Sequence, residues 1–141
     1  MGSDISFLYV HNFTHIPTVA LWLDSNDIVG TIPTQVGHLS GIASLSITNT
    51  TLTGTIPTEL GDCTDLRRLW LYSNKLSGNI PDSLATLPEL EVLELHHNNL
   101  VGNIPTGLCT QIASADYEYK ALTADCKQEV TCSTSCCTEC Y

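Results

Sequence analysis

The chain carries 141 residues, with 5 Lys plus Arg against 15 Asp plus Glu and a formal net charge of −10. That length allows one small domain, and so few cations argue against binding nucleic acid or an acidic membrane surface. Apolar residues make up 43% and charged ones 14%, which excludes a disordered polar tail and a coiled coil, and apolar runs as short as Val19-Ala20-Leu21-Trp22-Leu23 exclude direct membrane insertion, which needs roughly 20 such residues.

In chain order, Met1-Gly2-Ser3 reads as an expression scar, followed by none of the basic and apolar segments of a secretory signal. Residues 5–16 alternate weakly and carry Phe7, Leu8, Tyr9 and Phe13. Residues 1–16 therefore read as an N-terminal cap or the remnant of a preceding repeat. Residues 17–112 then fall into four gapless blocks of 24, at 17–40, 41–64, 65–88 and 89–112. Reading down the blocks gives Leu21, Leu45, Leu69, Leu93; Leu23, Ile47, Leu71, Leu95; and Ile28, Leu52, Leu76, Leu100. Gly30, Gly54, Gly78 and Gly102 follow, then Ile32, Ile56, Ile80 and Ile104, each with a proline behind it. A fixed period of this kind decides the architecture before any single residue does. The L-x-L pair alternates, so each short strand sends one face to a shared core and the other to solvent.

These columns resemble the leucine-rich repeat, and the 24-residue form ending in Gly-x-Ile-Pro resembles the plant-specific subfamily of receptor ectodomains and polygalacturonase inhibitors. The resemblance implies a right-handed solenoid with a parallel β-sheet on its concave face and a short 3-10 or irregular convex side. Asn26, Asn74 and Asn98 are expected to satisfy backbone groups along the turn as an asparagine ladder, with Thr50 a weaker rung. Both ends of such a solenoid would expose core and need covering.

After Ile112 the period stops, and residues 113–141 read as a Cys-rich C-terminal cap. Cys126, Cys132, Cys136, Cys137 and Cys140, with Cys109 from the last repeat, make six cysteines, read as three disulfides among which 15 pairings are open. Zinc ligation by the last four thiolates is the weaker reading, because two separated C-x-x-C knuckles are missing; the expected metal and cofactor content is none. The seventh cysteine, Cys63, sits in the column of Leu39 and Leu87 and is expected as a free buried thiol. The tail resembles the Cys-rich termini of secreted or surface leucine-rich repeat proteins of diatoms and related algae. Disulfides imply an oxidising compartment, and two N-x-[ST] sequons, at Asn12 and Asn49, agree with an extracellular or cell-surface glycoprotein.

Alternation places Ala20, Trp22, Asp24; Ser44, Ser46, Thr48; Arg68, Trp70, Tyr72; and Val92, Glu94, His96 on the concave face. Trp22, Ser46, Trp70 and Glu94 fall in one row about 4.8 Å apart, with Asp24, Thr48, Tyr72 and His96 beside it. Exposed Trp and Tyr beside Arg have the composition of an interaction hot spot. Arg67-Arg68 resembles only loosely the spaced arginines with which some plant receptors hold a carboxylate; adjacent positions cannot face one way, which leaves Arg68 as a carboxylate contact. His96 and His97 are expected to diverge at the strand end, and Glu89 and Glu91 to be solvated. The convex turns carry Thr31/Thr34, Thr55/Thr58, Asn79/Asp82 and Asn103/Thr106. A plant antifreeze protein of this repeat type binds ice through such an array, but Asn and Asp break the lattice here, so ordinary turn chemistry is the better reading.

No nucleophile elbow, zinc-protease helix, phosphate loop or dinucleotide fingerprint is present, so no enzyme is expected. The resemblance implies non-catalytic recognition of a protein or peptide ligand through the concave face. The alternatives are a structural subunit of a larger surface assembly, or an inhibitor of a wall-degrading hydrolase.

Overall fold

A computed structural model describes residues 3–4, 20–114, 121–124, 130–131 and 139–140, and side chains within 20–112 and 121–124. Short strands β2 (Ala20–Trp22), β4 (Ser44–Ser46), β6 (Arg68–Trp70) and β8 (Val92–Glu94) form the centre of a parallel sheet. Their register is the 24-residue repeat itself, Ala20 opposite Ser44, Arg68 and Val92 in turn. The sheet continues past the last 24-residue block. Strand β10 (Ala121–Ala124) pairs with β8, Leu122 opposite Leu93, and β12 (Glu139–Cys140) pairs with β10. The spacing from Val92 to its partner Ala121 is wider than the repeat, so the period ends where the sheet does not. Residues 113–141 thus contribute strands to the solenoid as well as following it.

After each concave strand the chain turns through a left-handed residue, Ser25, Asn49, Ser73 or His97, with φ between 52° and 57°. Narrower lateral pairings follow, with β1 (Ser3–Asp4), β3 (Ile28–Thr31) and β5 (Thr51–Thr53) in one group. β7 (Ser77–Asn79), β9 (Asn99–Asn103) and β11 (Val130–Thr131) form the other. Gly54 shows why its column is invariant across the blocks: φ is +76°, and a Cβ would stand 2.8 Å from Thr31 Cγ2 of the preceding coil. Pro33, Pro57 and Pro81, extended at φ −73°, −68° and −65°, then start 3-10 segments at Thr34–His38, Thr58–Asp62 and Asp82–Thr86. The fourth coil departs from the expected 3-10 geometry with a nine-residue helix, α1 (Thr106–Ser114).

The apolar columns close into one core. Leu45, Leu69, Leu93 and Leu122, Ile47, Leu71 and Leu95, and Leu52, Leu76 and Leu100 are all buried and in one cluster. Cys63 is fully buried there, its thiol donating to the Val36 carbonyl at 3.3 Å. Burial pushes that thiol up to about 11, with the Asp62 carboxylate adding to the rise. The folded protein therefore holds the proton more tightly than the unfolded chain. This contribution is complete below pH 9 and is lost as pH rises toward 11; two pH units correspond to about 2–3 kcal/mol. Native protein is expected to leave Cys63 unlabelled by iodoacetamide at pH 8, with labelling after unfolding; mass spectrometry reads both.

The asparagine ladder forms as expected and runs one coil backwards. Asn74 Nδ2 donates to Ile47 O at 2.7 Å in the preceding coil and to Leu71 O at 3.1 Å in its own, while Asn74 Oδ1 accepts from the Leu52 amide at 3.3 Å. Asn98 repeats this on Leu71 O at 2.9 Å, Leu95 O at 2.9 Å and the Leu76 amide at 3.0 Å. Thr50 donates to Asn74 Oδ1. Asn26 is exposed and, among the described residues, its side chain donates to Leu23 O and Asp24 O of its own coil.

Candidate functional site

The concave face is built from the outward positions of β2, β4, β6 and the residues that follow them. Trp22 and Trp70 stand two strands apart with Ser46 between them in register, yet their rings stack at 5.3 Å between centroids and 28° between planes. The two indoles therefore lean together over the β4 row. Trp22 remains 59% exposed, whereas Trp70 is half-buried and Ser46 is only 3% exposed. A second stack lies beside it, Tyr72 on His96 at 4.7 Å and 6°. Together they make an aromatic surface with rigid spacing, since each ring is braced by another rather than free to rotate.

Beneath this surface lies a polar floor. Asp24 Oδ1 accepts from the Ser46 hydroxyl at 2.6 Å and from the Thr48 amide at 2.8 Å. Ser46 and Thr48 were expected as ligand contacts; at 3% and 2% exposure they instead support the residues that can be touched. The reason is steric: small side chains in β4 sit between large ones in β2 and β6. Asp24 keeps surface, and Glu94 and His96 are half-buried. The face narrows toward its C-terminal side. Val92 has no exposed surface, and Ala121 and Thr123 next along the rows are 6% and 5% exposed, so the accessible part lies over β2 to β6.

At the strand entrance Glu89 is exposed as expected, whereas Glu91, also expected to be solvated, is buried in a charged cluster. Glu91 is 2% exposed; Arg67 Nη1 reaches its Oε1 at 3.3 Å and Arg68 Nη2 its Oε2 at 3.8 Å, while Arg67 Nη2 reaches Glu89 at 3.2 Å. Alternation puts position 91 on the inward side with Leu93, at the rim of the core, and only an ion pair makes a carboxylate tolerable there. Arg68 stays exposed on the groove side.

His96 and His97 do not diverge as expected. Their rings meet edge to face at 5.0 Å because His97 is in the left-handed turn conformation, and His96 Nδ1 lies 2.8 Å from Thr123 Oγ1. Asn49 is exposed at the corresponding left-handed position of the second coil, and its sequon hydroxyl, Thr51 Oγ1, donates to Ile28 O at 3.0 Å. Asn12 lies outside the described residues. Cys109 is disulfide-bonded; Cys126, Cys132, Cys136 and Cys137 lie outside the described residues, and Cys140 is described in backbone only. Sequence reasoning missed the Trp22–Trp70 contact, because register alone puts those positions almost 10 Å apart.

A family model described as leucine rich repeat matches residues 40–100. Among solved structures, the chain is similar to the BIR3–SERK2 complex from Arabidopsis thaliana, at 41% identity and a TM-score of 0.62, covering 64% of this chain and 48% of that one. It is similar to the ectodomain of the Arabidopsis thaliana receptor kinase GASSHO1/SCHENGEN3 in complex with CASPARIAN STRIP INTEGRITY FACTOR 2, at 32% identity and 0.64, covering 74% and 13%. A plant ice-binding protein is similar at 36% identity and 0.64, covering 74% and 35%. The chain thus spans about half, or less, of the length of each. No curated protein sequence matches it.

Proposed function

Because this chain is a leucine-rich repeat solenoid of the plant 24-residue type, we propose that it is a non-catalytic recognition module, acting outside the cell or at its surface. It binds a protein or peptide through the concave face. The observation that carries this reading is the exposed, braced Trp22–Trp70 stack. A soluble domain has no folding reason to leave an indole 59% exposed on a flat sheet, whereas interfaces draw most of their energy from such side chains. Complexes among the similar structures support the same direction. Trp22, Asp24, Arg68, Trp70 and Tyr72 are the contacts, with Glu94 and His96 at the edge.

The placement outside the cell rests on three disulfides among Cys109, Cys126, Cys132, Cys136, Cys137 and Cys140, and on glycan acceptors at Asn12 and Asn49. The test of function is capture of secreted proteins on the immobilised chain, followed by affinity measurement for each captured partner. Trp22→Ala is expected to weaken a genuine partner at least about tenfold with an unchanged circular-dichroism spectrum, since Trp22 contributes little to the core. Equal affinity of wild type and Trp22→Ala for every partner overturns the reading.

A further inference from the structure

We propose that the Trp22–Trp70 stack and Asp24 form a subsite for a cationic side chain, arginine above all, of the bound partner; this rests on the concave-face reading and names the chemistry it selects. The indole face is the strongest aromatic site for a cation, and here two indoles are braced at 5.3 Å over a buried serine, with the outer one open. Asp24 follows Trp22 by two residues on the same side of the strand, about 6–7 Å along it, within the span of a guanidinium lying on the ring. Its Oδ1 is fixed by Ser46 and Thr48, while Oδ2 has no hydrogen-bond partner among the described residues. The carboxylate is thus oriented by the fold and still has an oxygen to offer.

Charge supports a cation over an anion. Both arginines near the face, Arg67 and Arg68, are matched by Glu89 and Glu91 at 3.2 to 3.8 Å, so the entrance side carries no surplus positive charge. The whole chain stands at −10, which draws a basic segment toward the face. A partner anion at Arg68 would share that guanidinium with Glu91, a carboxylate 2% exposed that stands 3.8 Å from it.

The chain contains two tryptophans, and both are in the subsite, so their indole N–H resonances report on it without assignment ambiguity. The capped peptide Gly-Arg-Gly-Arg-Gly and its Gln and Glu counterparts are titrated into the whole 15N-labelled protein. The arginine peptide is expected to shift both resonances saturably, at a half-saturation at least about fivefold below that of the Gln peptide, and less tightly at about 0.5 M salt. Asp24→Asn, which keeps Oδ1 as acceptor for Ser46 and Thr48, is expected to weaken the arginine peptide at least about threefold and leave the Gln peptide unchanged. Shifts by the Glu peptide equal to or larger than those by the arginine peptide overturn the proposal in favour of an anion site at Arg68. Absence of any indole shift also overturns it, while leaving concave-face recognition to be decided by the Trp22→Ala affinities.

Discussion

Asn74→Ala is expected to cost roughly 2–4 kcal/mol, because a single truncation leaves the buried Ile47 carbonyl and the Leu52 amide without their side-chain partner and takes one of two donors from the Leu71 carbonyl, which keeps Asn98 Nδ2. Each of these groups lies between coils, where water does not replace the lost amide. The Thr50 hydroxyl loses its acceptor in the same step. The matched control is Asn26→Ala. That side chain is exposed and, among the described residues, bonds to Leu23 O and Asp24 O of its own coil, so its removal is expected to cost under about 1 kcal/mol. Urea unfolding of both variants measures the difference. Equal costs would mean that the ladder contributes through local turn geometry and not by tying coils together.

Gly61→Ala is expected to destabilise by about 2–3 kcal/mol through overpacking. A Cβ there would stand 2.7 Å from Ser83 Cβ and 2.8 Å from Ser83 O, and the second of these is backbone, so the third coil must move away. Gly37 meets Glu59 O at 2.6 Å in the same way. The third coil carries Ala85 at this position, and its opposite number in the fourth is Gly107, whose own Cβ would come within 2.9 Å of Ala85 Cβ. One methyl is allowed between successive convex segments, on either side. Ser83→Gly is therefore expected to restore part of the loss in Gly61→Ala. Gly41→Ala, with nothing within 4 Å of the added atom, is expected to be neutral or slightly stabilising. Thermal unfolding of Gly61→Ala, of Gly61→Ala with Ser83→Gly, and of Gly41→Ala checks the pattern; a neutral Gly61→Ala would show that the coils are free to spread.

The core was legible because each of its positions recurs at the same offset, and burial requires the same residue type there in every coil. The ladder was legible for the same reason, with Thr50 marking where its amide is missing. The Gly37, Gly61, Ala85 column was equally visible in the blocks, but its meaning lies in the contact with the next coil at an offset of 22, which no single column displays. Strand β10 was hidden by spacing: Leu122 and Ala124 stand in the Leu93 and Leu95 columns, but a longer connection through α1 shifts them off the period.

The site was legible as a list of outward positions and not as a surface. Alternation assigns a direction to each Cβ and says nothing of where a ring leans, so Ser46 and Thr48 counted as contacts although Trp22, Trp70 and their neighbours cover them. Glu91 looked solvated because a charged residue in a surface repeat ordinarily is. Its burial depends on two arginines in the preceding coil, a pairing made across the solenoid and not along the chain.

Hydroxyl-radical footprinting of the protein with a captured partner tests recognition through the concave face most directly, because oxidation of an exposed indole is fast and is lost when the indole is covered. Trp22 oxidation is expected to fall several-fold in the complex while Val29 and Val101, exposed on the lateral face, react as in the free chain. Unchanged oxidation of Trp22 with protection at Val29 and Val101 would contradict concave-face recognition and move the binding surface to the side of the solenoid.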